Sequence, residues 1–241
     1  SEYVSFFIKT FSYRVKHWMI LNEPMVFTGA GYFLGVHAPG KKGLSNFLAA
    51  AHHAVLCQAE GGRIAKSYKS ALKIGTTFSS SHVEANTNSI KDQQARVRID
   101  ALLNRMFLEP LLGINYPVKD LKVLRRIEEF VKEDDEKKMC FDMDFIGVQN
   151  YTREIASFDF FTPFVQAKII KADKRNVQRT VMNWEVYPSS VYHILKKFAA
   201  YKNMPEIIIT ESGAAFEDKL IDGNINDKER KLLIQNNIAE I

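Results

Sequence analysis

The sequence predicts an α/β fold in which parallel strands alternate with helices. Three observations predict it. Four short segments rich in β-forming residues lie at 15–21, 73–79, 145–151 and 207–211. Between them, apolar residues recur at helical spacing. The segment at 73–79 is a short apolar strand candidate, and Ile207-Ile208-Ile209 is a continuous apolar run, the pattern that burial on both faces of a parallel sheet produces. A length of 241 residues with 46% hydrophobic and 25% charged residues describes an ordinary globular chain. Such a chain buries roughly 70–75% of its unfolded surface and needs no disulfide or metal staple.

The elements follow in order. Val4, Phe7, Ile8 and Phe11 fall at i, i+3, i+4 and i+7, an amphipathic helix. The strand at 15–21 ends at Asn22-Glu23-Pro24, where proline has no N–H to give the ladder. Ser45 opens a long helix over 47–71, weakened in its middle by Gly61-Gly62. After the strand KIGTTFS at 73–79, Ile99, Leu102, Leu103, Met106 and Phe107 make one helical stripe, closed by Gly113 and Pro117. A helix of mixed charge at 121–133 precedes the strand FIGVQNY at 145–151, and a polar segment without a clear element runs to Val181. Pro188 suits a first helical turn, Val191, Ile194, Leu195 and Phe198 supply that helix with a buried face, and Pro205 ends it before the strand at 207–211. Asn226 or Asp227 caps a last helix with Leu233, Ile234 and Ile238 on one face. A helix already under way near Ser1, no signal peptide, and no C-cap at Ile241 lead to the expectation of an internal piece of a longer protein.

Composition narrows the function. Lys+Arg 33 against Asp+Glu 28 gives +5, but the basic residues interleave with Asp120, Glu128 and Glu129 as on a solvated helix face, so no nucleic-acid partner is expected. No apolar run approaches ~18 residues, so no membrane span is expected. Cys57 and Cys140 are too few and too far apart for a redox or disulfide framework; they read as buried thiols without a chemical role, in a reducing, cytoplasmic compartment. His52-His53 point about 100° apart on a helix and read as structural. Ser79-Ser80-Ser81-His82 lacks a nucleophile elbow and reads as a strand-end loop. The aromatic stretch from Phe158 to Phe164 is read equally as a partner or aglycone-side surface and as a flap over helices.

No nucleotide fingerprint follows any strand. What stands at the strand ends is polar: Asn22 and Glu23 after the first, Asn150 after the third, Glu211 after the fourth. In a (β/α)₈ barrel such positions converge on one face. Two carboxylates across a cleft are what glycosidic hydrolysis requires, with a separation of about 5–5.5 Å for retention and ~6.5–9.5 Å for inversion. A glutamate at a strand end also serves as a helix cap or an ion-pair partner, and spacing alone leaves both readings open.

The residues carry a resemblance. His17-Trp18-Met19-Ile20-Leu21-Asn22-Glu23-Pro24 resembles the W-x-T-x-N-E-P motif of glycoside hydrolase family 1, the β-glucosidase family. Gly31-Tyr32, Gly35 and Ala38-Pro39-Gly40 follow at the spacing of its G-Y-x-x-G-x-x-A-P-G segment. Residues Asp144 to Tyr151 are similar to its D-F-I-G-x-N-Y-Y, Trp184 to Pro188 to its G-W-x-x-x-P, and Ile209 to Gly213 to its I-T-E-N-G. The five motifs stand in order along essentially the whole chain.

The resemblance implies a retaining β-glycosidase on an incomplete (β/α)₈ TIM barrel, the chain supplying strands four to seven and lacking strands one to three and strand eight. Across residues 1–241, a partial catalytic domain, Glu23 then matches the general acid/base, Glu211 the nucleophile, Asn22 the contact to the sugar 2-hydroxyl and Trp184 an aromatic wall on the aglycone side. Asn150 joins them as a candidate substrate contact. No metal or organic cofactor is implied; the partner is a β-linked oligosaccharide or an aryl or alkyl glycoside. Thr152 stands where a second tyrosine holds the nucleophile, Ser212 replaces the Asn beside Glu211, and Asn183 replaces the Gly before Trp184. Glycone-binding residues of strands one, three and eight are absent, which leaves the choice of sugar open and makes activity and monodispersity of the chain alone unexpected. The other reading is a domain of the same family that binds carbohydrate or a partner without catalysis.

Overall fold

The computed structural model describes residues 2–68 and 71–241. Its helices are α1 (Glu2–Phe11), α2 (Pro24–Thr28), α3 (Leu44–Tyr68), α4 (Ile90–Asp100), α5 (Leu108–Leu111), α6 (Asp135–Met139), α7 (Ser190–Ala199) and α8 (Lys228–Ala239). Its strands are β1 (His17–Asn22), β2 (Lys73–Ser79), β3 (His82–Ala85), β4 (Phe145–Gln149), β5 (Arg153–Phe158), β6 (Ala167–Ile169), β7 (Glu206–Glu211), β8 (Leu220–Ile221) and β9 (Asn224–Ile225). Wide π-helical turns occupy Gly29–Leu34 and Ala101–Arg105, and 3₁₀ turns occupy Lys122–Glu129 and Ala172–Lys174. The four strands read from the sequence form one sheet in the order β1-β2-β4-β7. The expected helix end at Ala71 passes through Lys69 and Ser70, which lie outside the described residues, as does Ser1. Among the described residues no helix is long and apolar enough to cross a membrane.

The chain forms two compact units. The first comprises Ser1–Ser79, Ala101–Val148 and Asn203–Ile208. In it β1 pairs β2 in parallel, His17 opposite Lys73 and Met19 opposite Gly75, until an irregularity brings Asn22 opposite Thr77. Three residues of β1 thus match two of β2, and an extra residue in a strand bends it and re-aims the side chains that follow. The core gathers Leu48, Val55, Leu72, Ile74, Met106, Leu111, Leu124, Met139 and Ile146. The Gly61-Gly62 pair has a packing reason: a Cβ at Gly61 would lie 2.5 Å from Ile20 Cγ2, and one at Gly62 2.5 Å from Phe141 Cε1. The missing side chains let α3 lie against β1 and Phe141. His52 is fully buried, with Nε2 3.0 Å from Asp135 and Nδ1 3.0 Å from the Tyr116 hydroxyl, while His53 lies exposed beside the Ala49 carbonyl.

The second unit comprises Ser80–Asp100, Gln149–Lys202 and Ile209–Ile241. Its three-stranded sheet, β3-β5-β6, pairs β3 with β5 in parallel and β5 with β6 antiparallel. This sheet occupies the loop after β2 and the segment expected to lack an element; in β5 the adjacent Arg153 and Glu154, followed by the buried pair Ile155 and Ala156, hide its period. Phe160 and Phe161 are exposed at the tip between β5 and β6, with Asp159 closing the turn onto the Phe161 N–H at 3.2 Å and the Thr162 hydroxyl at 2.8 Å.

Several sequence expectations shift. The stripe from Ile99 to Phe107 passes through the π turn, which inserts a residue and rotates the face, so Ile99, Met106 and Phe107 are buried while Leu102 and Leu103 are half-buried. Residues Lys122–Glu129 wind as 3₁₀ rather than α. On α8 only Leu233 of the expected face is buried, together with Asn237, and Ile234 and Ile238 are exposed. Cys57 is exposed rather than buried because its neighbours Ala54, Val55, Gln58 and Ala59 take the inner face of α3. Strand β4 is buried along its whole length, so Phe145, Ile146 and Val148 do not meet solvent, whereas Ile207, Ile208 and Ile209 of β7 are half-buried.

Candidate active site

Each strand end presents its own constellation. In the first unit, β1 delivers Asn22, exposed, and Glu23, half-buried. The Glu23 N–H donates to Thr77 O at 3.1 Å, and its carbonyl accepts from Val26 N at 2.9 Å as α2 begins with Pro24 at its first turn. Glu23 sits at φ 47, ψ 61, in the left-handed region, a strain that costs a non-glycine residue of order 1–3 kcal/mol. Its side chain does not cap α2, so capping does not account for a glutamate there. Downstream, Gly31 is fixed by close approach: a Cβ there would lie 2.5 Å from Ala38 O.

In the second unit, β7 ends at Glu211, whose carboxylate is exposed and held by two donors. Gln149, buried at the end of β4, donates Nε2–H to Oε1 at 2.5 Å, and the Tyr151 hydroxyl donates to Oε2. The backbone joins the same ends, Asn150 N–H to Glu211 O at 3.1 Å. A carboxylate gripped at both oxygens has a fixed direction, which is what attack along one line requires.

These contacts correct the reading of 149–152. Counted from Asp144, the eight-position motif D-F-I-G-x-N-Y-Y places Gln149 on its Asn, Asn150 on its first Tyr and Tyr151 on its last. The hydroxyl that holds the strand-end glutamate is therefore present, on Tyr151, and the Asn150-Tyr151 dipeptide masks it by imitating the motif one position late. Thr152 is buried and donates to the Glu185 carbonyl at 3.0 Å. Asn150 is 3% exposed, its amide donating to Ser80 O at 2.8 Å and Ser190 Oγ at 3.0 Å, so in this structure it braces β4 from inside.

Trp184 rides a tight turn. Thr180 N–H donates to Trp184 O at 2.8 Å, Asn183 N–H to Thr180 O at 3.0 Å, and Asn183 takes φ 61. Asparagine tolerates that region better than most non-glycine residues, which fits its place where glycine is usual. Val181 N–H donates to Ala215 O at 3.0 Å, tying the turn to the segment after β7, and the Trp184 and Tyr151 rings meet at 5.4 Å. Ser212 accepts from Asn237 Nδ2 at 2.8 Å, which gives the residue beside Glu211 a partner on α8. Tyr151 and Gln149 are the residues sequence reasoning missed; correct counting of the motif was the signal for both.

The model of Glycosyl hydrolase family 1 matches residues 1–241. Beta-glucosidase A of Thermotoga maritima is 33% identical over 233 residues, covering 95% of this chain and 51% of that protein. The 1,4-beta-D-glucan glucohydrolase of Thermotoga neapolitana is 30% identical over 243 residues, covering 100% of this chain and 56% of that protein. Among solved structures, the family 1 β-glucosidase of T. maritima superposes with a TM-score of 0.92 at 30% identity over 99% of this chain and 53% of that one. The same values hold for that enzyme in complex with deoxynojirimycin. The chain spans about half the length of the curated relatives it matches.

Proposed function

Because the chain belongs to glycosyl hydrolase family 1, we propose that the protein carrying it hydrolyses β-glucosides or related β-glycosides with retention, using Glu211 as nucleophile and Glu23 as acid/base. The observation that carries the reading is the double grip of Gln149 and Tyr151 on the Glu211 carboxylate at the end of β7. In the first half-reaction a Glu211 oxygen attacks the anomeric carbon, the bond to the aglycone oxygen breaks, and Glu23 gives that oxygen its proton. In the second, Glu23 takes a proton from water, the water oxygen attacks the same carbon, and the Glu211 carboxylate leaves. Two inversions return the original configuration. The mechanism requires the two carboxyl groups about 5–5.5 Å apart in the whole protein. Asn22 hydrogen-bonds the sugar 2-hydroxyl, and the flat face of Trp184 receives the aglycone, an aryl or alkyl group or a further sugar. Glycosidase-inhibitor complexes of the superposable T. maritima enzyme support the substrate class.

The test removes the nucleophile's side chain. Glu211→Gly in the whole protein should abolish turnover of a chromogenic β-glucoside while thermal unfolding stays near the parent's, and added azide should restore release of the aglycone by occupying the vacated side of the anomeric carbon. Full residual activity in Glu211→Gly would remove the assignment. A parent protein that binds glucose but turns over no glycoside would instead favour the non-catalytic binding domain.

A further inference from the structure

Two residues beyond Tyr151, Arg153 opens β5; one residue beyond Trp184 stands Glu185, 4% exposed. Arg153 and Glu185 form a fork, Nη2–H to Oε1 at 2.8 Å and Nε–H to Oε2 at 2.9 Å. Arg175 Nη1–H adds a third bond to Oε2 at 2.5 Å, and Arg153 Nη1–H reaches Glu84 at 2.9 Å. The Arg153 guanidinium lies 3.8 Å from the centre of the Tyr187 ring, and the Thr152 hydroxyl donates to the Glu185 carbonyl. All these groups belong to the second unit. The segments 151–153 and 184–187 are therefore joined by a fork, a neutral hydrogen bond and a cation–π contact.

Stability alone does not call for this cluster. Desolvating a carboxylate and two guanidinium groups costs about what their attraction returns, and an apolar replacement of equal volume often holds a fold as well. Arg175 Nε is moreover buried with no hydrogen-bond partner among the described residues, an unmet donor that subtracts from stability. What a planar fork supplies and an apolar pair does not is orientation. The oriented segments carry Tyr151 and Trp184, whose rings touch, and the Tyr151 hydroxyl ends on Glu211.

We propose that the Arg153–Glu185–Arg175 cluster is a positioning device for the nucleophile, acting through Tyr151. This rests on the glycosidase reading above. The three act by setting the direction of the phenol that aims Glu211. In the whole protein, Glu185→Gln should lower kcat on an aryl β-glucoside ~10-fold or more, the scale of a misdirected hydrogen bond to a charged group, with KM within about twofold. In a Tyr151→Phe background the same substitution should cost nothing further, because the relay is already cut. A loss that adds in full to that of Tyr151→Phe overturns the proposal. A second readout needs no turnover. In the whole protein labelled at tyrosine Cζ with ¹³C, the resonance missing from Tyr151→Phe should move in Glu185→Gln and in Arg153→Lys, which keeps the charge and loses the fork. Should Glu185→Gln fail to fold, Arg153→Lys carries both measurements. An unmoved resonance overturns the positioning role even in an active enzyme, whereas a moved resonance in a wild-type protein without glycosidase activity overturns only the glycosidase reading.

Discussion

At the scale of single residues, the two strand-end glutamates show different local constraints. Gln149 and Tyr151 donate to the Glu211 carboxylate, and Glu23 takes a left-handed backbone conformation. Removing the Tyr151 hydroxyl as Tyr151→Phe should lower kcat and kcat/KM together by roughly 10- to 100-fold, since a bond to a charged group contributes about 1.5–3 kcal/mol, and initial-rate kinetics on the whole protein measure it. At Glu23 the left-handed φ of 47 is a strain that glycine lacks, so Glu23→Gly should gain stability, by about 1 kcal/mol, while losing turnover. A melting temperature below the parent's would contradict that account of the strain. A third carboxyl sets a pH dependence. Burial pushes Glu154 up from 4.5 to about 7, with Arg175 opposing and Glu185 reinforcing the shift. The folded chain thus holds a proton that the unfolded chain releases, and the stability this contributes is full below pH 4.5 and is lost as pH rises toward 7, at most ~1.4 kcal/mol per unit. Denaturant titrations of Glu154→Gln against the parent should differ across that window and run parallel above it. At this scale the carboxylates and Trp184 were legible because strand ends and motifs mark them. The grip on Glu211 was not, since the Asn150-Tyr151 dipeptide imitates the motif one position late and Gln149 has the look of an ordinary strand residue.

Among the elements, α3 shows where helix propensity and packing oppose each other. Alanine is favoured over glycine by about 1 kcal/mol inside a helix, yet at Gly61 the added Cβ would lie 2.5 Å from Ile20 Cγ2. Overpacking typically costs 1–3 kcal/mol, so Gly61→Ala should be net destabilising by roughly 1 kcal/mol and Gly61→Val by more. Urea unfolding decides the sign, and a more stable Gly61→Ala would show that α3 is not held at that distance. Strand β2 matched its expected bounds because KIGTTFS is buried on both faces, leaving one way to read it. Strands β5 and β6 escaped notice because their partners are charges: Arg153 and Glu154 look like a solvated loop until Glu185, Glu84 and Arg175 are seen beside them. The turn of Lys122–Glu129 kept its apolar period through Leu124 and Ile127, a spacing of three that fits a 3₁₀ turn as well as an α-helix.

For the whole molecule, the controlling fact is that the chain matches about half of each curated relative while carrying both candidate carboxylates. Its sheet has β1 and β7 as outer strands, with Met19 half exposed and Ile207 to Ile209 only half-buried. Outer strands with unpaired backbone and apolar side chains invite pairing with another chain. The 241-residue chain by itself is therefore expected to associate, and to have negligible β-glucosidase activity. Light scattering and a chromogenic assay on it check both points, and a monodisperse monomer with the turnover of an intact relative would refute them. The α/β class and the places of the four sheet strands were legible at this scale because each strand is a local signal; the division into two units was not, since it depends on which distant segments pack together. One measurement tests Glu211 as nucleophile most directly: mass spectrometry of the whole protein after incubation with a 2-deoxy-2-fluoro-β-glucoside bearing a good leaving group, which slows release of the glycosyl intermediate. The predicted result is a single fluoroglucosyl adduct on the peptide containing Ile209 to Gly213, attached at Glu211 and absent from Glu211→Gly. Rapid turnover of β-glucosides with no adduct and an inverted anomeric product, or an adduct on any other residue, would contradict it.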